Sequence, residues 1–220
     1  VSTMTWENLT ADADALREKL GFDQWAVLGH SFGGMVALEY ALRYPHSLSH
    51  LILINTCGDI RWAQKHAPEA LAQRGFDSKK VELARRFFNG EIEADEMLPA
   101  MRKFGGAYYH RLTLPLLVRD VVVGLRMKVR PEALIFGFSQ LLRGWTVMDR
   151  LPEIRVPTLV LAGRDDFQFP PEHQASLTTG IPNARLKIID EAGHNAPSER
   201  PNLVVEEVRR FLTTAELDRA

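Results

Sequence analysis

Gly29-His30-Ser31-Phe32-Gly33 sets a serine between two glycines, with a short apolar run at 24–28 before it and an apolar-rich helical pattern at 33–44 after it, ended by Pro45. A strand that becomes a helix within so few residues admits few chain paths. Glycines two residues on either side let the strand and helix backbones approach closely, and the serine between them is held on a strained turn with its hydroxyl clear of the sheet. The same turn puts the backbone amide of Phe32 at a helix N-terminus, where partial positive charge stabilises a developing oxyanion.

The rest of the chain repeats this alternation. Thr10 is a candidate N-cap for a helix at 11–20 that Gly21 stops. Further apolar strands are expected at 48–55, 157–162 and 184–189, with helical patterns between or after them, so the fold class is α/β with a mostly parallel sheet and flanking helices. Between the second and third strands lie about a hundred residues with no sheet pattern. That insertion carries helical patterns at 68–73, 79–88, 94–104 (interrupted by Pro99) and 132–142. The expected division is therefore 1–57 and 157–220 as two parts of one core, with 58–156 as a helical cap.

Composition limits the partners. Twenty-seven basic and twenty-eight acidic side chains leave a formal charge of -1, which gives no field to gather nucleic acid or an anionic membrane. A small molecule or short peptide is the expected substrate. The lone Cys57 cannot form an internal disulfide, which suits a cytoplasmic setting. No apolar run reaches eighteen residues, so no transmembrane helix is expected. The chain opens on Val1 without a signal-peptide pattern, consistent with a processed or truncated product.

A serine hydroxyl is a weak nucleophile at neutral pH and needs a base that a carboxylate orients. His194, in Glu191-Ala192-Gly193-His194, follows the fourth strand at the sheet end where ligand groups of open α/β sheets gather. Gly163-Arg164-Asp165-Asp166 follows the third strand, and either aspartate could reach the same region. Asp59, just past the second strand, reads as a loop cap, and His30 as packing beneath the turn. His46 and His50 lack the further ligands a metal site needs.

These residues resemble the α/β-hydrolase superfamily, and within it the proline-iminopeptidase-like and esterase-like serine hydrolases. The stretch from Trp25 to Gly34 resembles the family's nucleophile strand and elbow. Gly163-x-x-Asp166-x-x-x-Pro170 resembles its acid loop, in the register that selects Asp166 over Asp165. Gly193-His194-x-x-x-x-Glu199-x-Pro201 resembles its histidine loop, with 202–212 as the closing helix. The resemblance implies an α/β-hydrolase fold and a triad of Ser31, His194 and Asp166 that needs no metal or organic cofactor, with the Phe32 amide in the oxyanion hole. It also implies a cap that shapes the pocket.

Cap aromatics and methionines, among them Phe87, Phe88, Phe104, Tyr109, Phe138 and Trp145, are expected to form mainly cap core, with two or three lining the pocket. Tyr109 and Trp145 are the named candidates. Glu91 and Glu96 belong to an acidic cluster that reads first as a solvated helix start complementing the helix dipole, and that in an iminopeptidase would bind a free α-amino group. The expected activity is hydrolysis of a small ester, lactone or amide, with release of N-terminal proline as the alternative. A non-catalytic ligand-binding protein, or an inactive fragment, on the same scaffold is the other class.

One departure from the family pattern is plain. Only about twenty residues precede the first strand, and no His-Gly pair occurs anywhere, so the loop that supplies the second oxyanion amide has no counterpart here. The first strand is expected to present an unpaired apolar edge. An N-terminal segment, or a second chain, is the expected partner that completes the sheet and the oxyanion hole.

Overall fold

A computed structural model describes residues 3–126 and 130–217. Four strands, β1 (Trp25–His30), β2 (Leu48–Ile54), β3 (Thr158–Gly163) and β4 (Ala184–Ile189), form one parallel sheet in the order β1-β2-β3-β4. Their register aligns His30 with Ile54, Ile54 with Leu161, and Gly163 with Ile189. The residues that follow β1, β2, β3 and β4 consequently leave the sheet at one end.

β2 and β3 read as unbroken apolar runs because both faces of the sheet are covered. Leu51, Leu53 and Val160 pack against α2 (Phe32–Arg43) and α8 (Pro171–Gly180), whereas Ile52, Ile54, Leu159 and Leu161 pack against α10 (Pro201–Leu217). β1 differs. Among the described residues it pairs with β2 alone, and Leu28 on it is half exposed.

α1 (Trp6–Lys19) begins a turn earlier than the sequence pattern suggests. Thr5, not Thr10, is the N-cap, accepting from the Asn8 amide at 3.1 Å. Thr10 is buried, and its hydroxyl donates back to the Trp6 carbonyl at 2.8 Å, a habit of threonine inside helices. Trp6 packs with tilted rings against Phe32 and Trp145, with centroids 5.9 and 5.3 Å away, and that partial tertiary burial extends the helix. Gly21 ends it as expected: at φ 76° it allows Gly21 N–H to reach Glu18 O (2.9 Å) and Phe22 N–H to reach Arg17 O (3.2 Å), the paired bonds of a Schellman stop.

The segment between β2 and β3 is helical, carrying α3 (Arg61–Gln73), α4 (Ser78–Phe88), α5 (Ala94–Phe104), α6 (Leu114–Arg126) and α7 (Pro131–Phe136), the last running into a π turn at Gly137–Leu141. α3 and α5 continue through Pro68 and Pro99. A proline forfeits one helical hydrogen bond; here Ala67, Leu71, Met97, Ala100 and Phe104, buried on those two helices, offset it. They join Phe87 and Phe88 in an apolar cluster of their own. The final stretch rejoins the sheet: Leu142, Trp145, Val147, Leu151 and Ile154 pack with α2 and β2, and an antiparallel bridge between Asp59 and Thr146 closes the base. Among the described residues no helix is long and apolar enough to cross a membrane.

Candidate active site

Ser31 sits at φ 53°, the left-handed region that an L-residue occupies only when its surroundings enforce it. Its amide donates to Ile54 O (3.0 Å), and its carbonyl accepts from the Thr56 hydroxyl (2.7 Å). A Cβ at Gly29 would lie 2.3 Å from Gly33 O, so the strand-to-helix approach requires Gly29. Gly33 itself has open space beside it. The second glycine that the packing demands is Gly34, where a Cβ would stand 2.6 Å from the Thr56 side chain. Phe32 is the first residue of α2, so its N–H is among the helix-start donors without an intrahelical acceptor.

The structure brings Ser31, His194 and Asp166 together. His194 Nδ1 lies 2.9 Å from Asp166 Oδ2, and its Nε2 lies 2.9 Å from Ser31 Oγ. A carboxylate only accepts, so Nδ1 carries the hydrogen and Nε2 keeps a lone pair for the serine hydroxyl. Asp166 is buried, and its Oδ1 accepts the backbone amides of Gln168 (2.9 Å) and Phe169 (3.1 Å). Burial alone would raise its pKa. The His194 charge, the His194 and Asn55 hydrogen bonds and the Phe169 amide outweigh that and hold it below the ordinary carboxylate value.

Neighbouring aspartates are engaged elsewhere. Asp165 pairs through its side chain with His110 Nδ1 at 2.7 Å, and Asp59 accepts from its neighbour Arg61 at 2.9 Å. Glu199 explains the motif after His194: it accepts Gly193 N–H (2.7 Å) and Arg111 N–H (3.1 Å), tying the histidine loop to the cap.

Two participating residues escaped the sequence reading. Asn55, buried at φ 46°, donates through Nδ2 to Asp166 Oδ2 (2.8 Å) and Gly193 O (3.1 Å), so it fixes the acid and the histidine loop together. A polar residue closing the apolar run Leu51-Ile52-Leu53-Ile54 was the available signal. His30 does more than pack beneath the turn. Its Nε2 lies 2.8 Å from the His194 carbonyl, which can only accept, so His30 is the donor. Burial, then repulsion from the His194 ring when that ring is protonated, lowers its pKa.

A pocket of about 120 Å³ opens beside Ser31, with Phe32, Met35, Leu134, Phe138, Gln168 and Phe169 in its wall. Of the cap aromatics singled out above, Phe138 lines it. The other substrate-binding candidates lie elsewhere. Glu91 is paired with Arg85 (3.0 Å) and Glu96 with Arg86 (2.6 Å), and the Arg86 bond holds Glu96 below its ordinary pKa. The Trp145 indole donates to the buried Glu39 (2.8 Å). Tyr109 bonds Asp120, and burial, reinforced by that carboxylate, pushes its pKa up to about 12. Neither glutamate, nor Tyr109 or Trp145, lines the pocket at Ser31.

The sequence profile of the alpha/beta hydrolase fold family matches residues 2–201. The chain belongs to that family. Among curated members of the alpha/beta hydrolase fold, it is 28% identical over 191 residues to the 2-hydroxy-6-oxo-6-phenylhexa-2,4-dienoate hydrolase of Comamonas testosteroni, covering 84% of this chain and 61% of that one. It is 26% identical over 220 residues to the proline iminopeptidase of Saccharolobus solfataricus, covering 96% of this chain and 69% of that one. Among solved alpha/beta hydrolases, the proline iminopeptidase of Mycobacterium smegmatis superposes with a TM-score of 0.75 at 25% identity, covering 98% of this chain and 74% of that one. The chain thus spans roughly three-fifths to three-quarters of the length of these relatives.

Proposed function

We propose that this hydrolase is a serine hydrolase cleaving a small ester, lactone or amide through Ser31, His194 and Asp166. The 2.9 Å contacts on both sides of the His194 ring carry the reading. Ser31 Oγ attacks the carbonyl carbon while His194 Nε2 takes its proton, and the negative charge that forms on the carbonyl oxygen faces the Phe32 amide. His194 returns the proton to the leaving group and an acyl-enzyme forms. Water, deprotonated by the same imidazole, then releases the acid and frees the serine. Asp166 keeps the imidazole in the productive tautomer and stabilises the imidazolium.

Oxyanion stabilisation normally uses two donors, and losing one costs about 2.7–4 kcal/mol. A strand-bearing segment, N-terminal to this stretch or on a second chain, completes the sheet along β1 and supplies the second amide. The unpaired side of β1 supports this, as does an apolar cleft of about 510 Å³ beside Trp25, Val27, Leu28 and Val36. The buried Cys57, which forms no disulfide, suits a cytoplasmic setting.

A fluorophosphonate probe with peptide mapping tests the reading: label on Ser31, absent in Ser31→Ala, is the expected result, and label elsewhere overturns it. Release of N-terminal proline is the second reading, favoured by the similarity to two proline iminopeptidases. A proline amide assayed against a p-nitrophenyl ester separates the two.

A further inference from the structure

We propose that Gln168 selects the substrate, by accepting a hydrogen bond from an O–H or N–H carried on the acyl chain. The inference rests on the serine hydrolase reading and names the substrate class of that same pocket, a short acyl group bearing a hydrogen-bond donor.

Gln168 is 5% exposed. Its backbone amide is one of the two that hold Asp166, so the root of the side chain is fixed relative to the triad. The side chain borders the Ser31 pocket, whose other walls are mainly apolar: Met35, Ile60, Leu134, Phe138 and Phe169. Gln168 Oε1 is itself buried without a hydrogen-bond partner. A buried acceptor left unpaired is expensive, and rotation of the terminal amide toward the pocket would pair that oxygen with a ligand donor.

The pocket takes the acyl side of the substrate. A leaving group must depart beside His194 Nε2, which protonates it, and His194 is not among the residues lining this cavity. At about 120 Å³ the cavity is somewhat smaller than the roughly 150 Å³ that admits a benzene ring, so it suits a short chain. A site built to bond a substrate hydroxyl discriminates strongly against the analogue that lacks it, because the protein group is then left unpaired. A purely apolar pocket shows no such preference.

The test compares phenyl butyrate with its 2-hydroxy and 3-hydroxy analogues, following acylation of Ser31 by intact mass so that one turnover suffices. Because a 2-hydroxy group also activates the carbonyl by induction, each rate ratio is divided by that for uncatalysed hydrolysis of the same pair in buffer, and the quotient isolates the pocket. The unmodified chain should favour one hydroxy ester about tenfold or more, and Gln168→Leu and Gln168→Met should both bring that ratio to within about threefold of unity. Two substitutions of similar size guard against a folding defect in one, and thermal melts identify it. Equal ratios in the unmodified chain and both variants, with Ser31 still taking the fluorophosphonate, overturn the role of Gln168 alone. Absence of label at Ser31 overturns the serine hydrolase reading and this inference with it.

Discussion

Replacing Asn55 by alanine removes a side chain that bonds both Asp166 and the histidine loop. The Nδ2 bond to Asp166 Oδ2 is 2.8 Å, fully buried and made to a charged group; such bonds contribute about 1.5–3 kcal/mol. Gly193 O, at 3.1 Å, loses its Asn55 partner as well, and a buried carbonyl left unpaired costs about 1–3 kcal/mol. Alanine at φ 46° adds about 1 kcal/mol, since asparagine tolerates the left-handed region better. Against these stands a gain, because Asn55 Oδ1 is itself buried without a partner and disappears with the side chain. The balance is a loss of about 3–5 kcal/mol, which for a chain of this size lowers Tm by about 6–20 °C. Urea unfolding at pH 7 and calorimetry measure the stability, and the rate of Ser31 phosphonylation measures the effect on the triad, expected to fall at least about tenfold. A destabilisation below about 1 kcal/mol, or an unchanged phosphonylation rate, would refute the view that Asn55 holds the acid in position.

Gly163→Ala should disturb the same region from the backbone side: its Cβ would lie 2.1 Å from Gly193 O and 2.8 Å from Ala192 O. Overpacking of this kind costs about 1–3 kcal/mol or more, so a lower melting temperature together with slower Ser31 labelling is expected, and wild-type values for both would contradict the packing argument. His173 supplies a pH dependence. Burial, against the opposing pull of Asp59, lowers its pKa from 6.5 to about 4, so between those values the unfolded chain binds the proton more readily than the folded one. Its contribution to stability is complete above about pH 6.5 and falls away toward pH 4, by about 3 kcal/mol at about 1.4 kcal/mol per pKa unit. Unfolding free energies of the unmodified chain and His173→Gln across that range measure it, and parallel curves would show that His173 is not the source.

Much of the site could be read directly from local sequence. A glycine-flanked serine between an apolar strand and an apolar helix, a Gly-x-x-Asp after one strand and a Gly-His after another all depend on conformational needs that short segments express by themselves. The register of a parallel sheet then sends those segments to one end, and the three side chains meet. Long-range packing decided what the sequence did not. Trp6 moved the start of α1 because its ring packs, partly buried, against residues 26 and 139 positions away. Glu91 and Glu96 look available in a linear acidic cluster, yet α4 brings Arg85 and Arg86 against them.

The amino-acid sequence by itself thus determined the alternating α/β architecture, the strained serine turn and the choice of Ser31 and His194, because each follows from patterns a few residues long, whereas Asp166 was separated from Asp165 only by the resemblance to a family's acid loop. Only the tertiary structure decided which second glycine the turn requires, that Asn55 and His30 brace Asp166 and His194, and that Gln168 borders the Ser31 pocket while its amide oxygen is buried without a partner. Those outcomes depend on which groups remain unpaired once distant segments have packed, and hydrogen-bond satisfaction is a property of the folded neighbourhood.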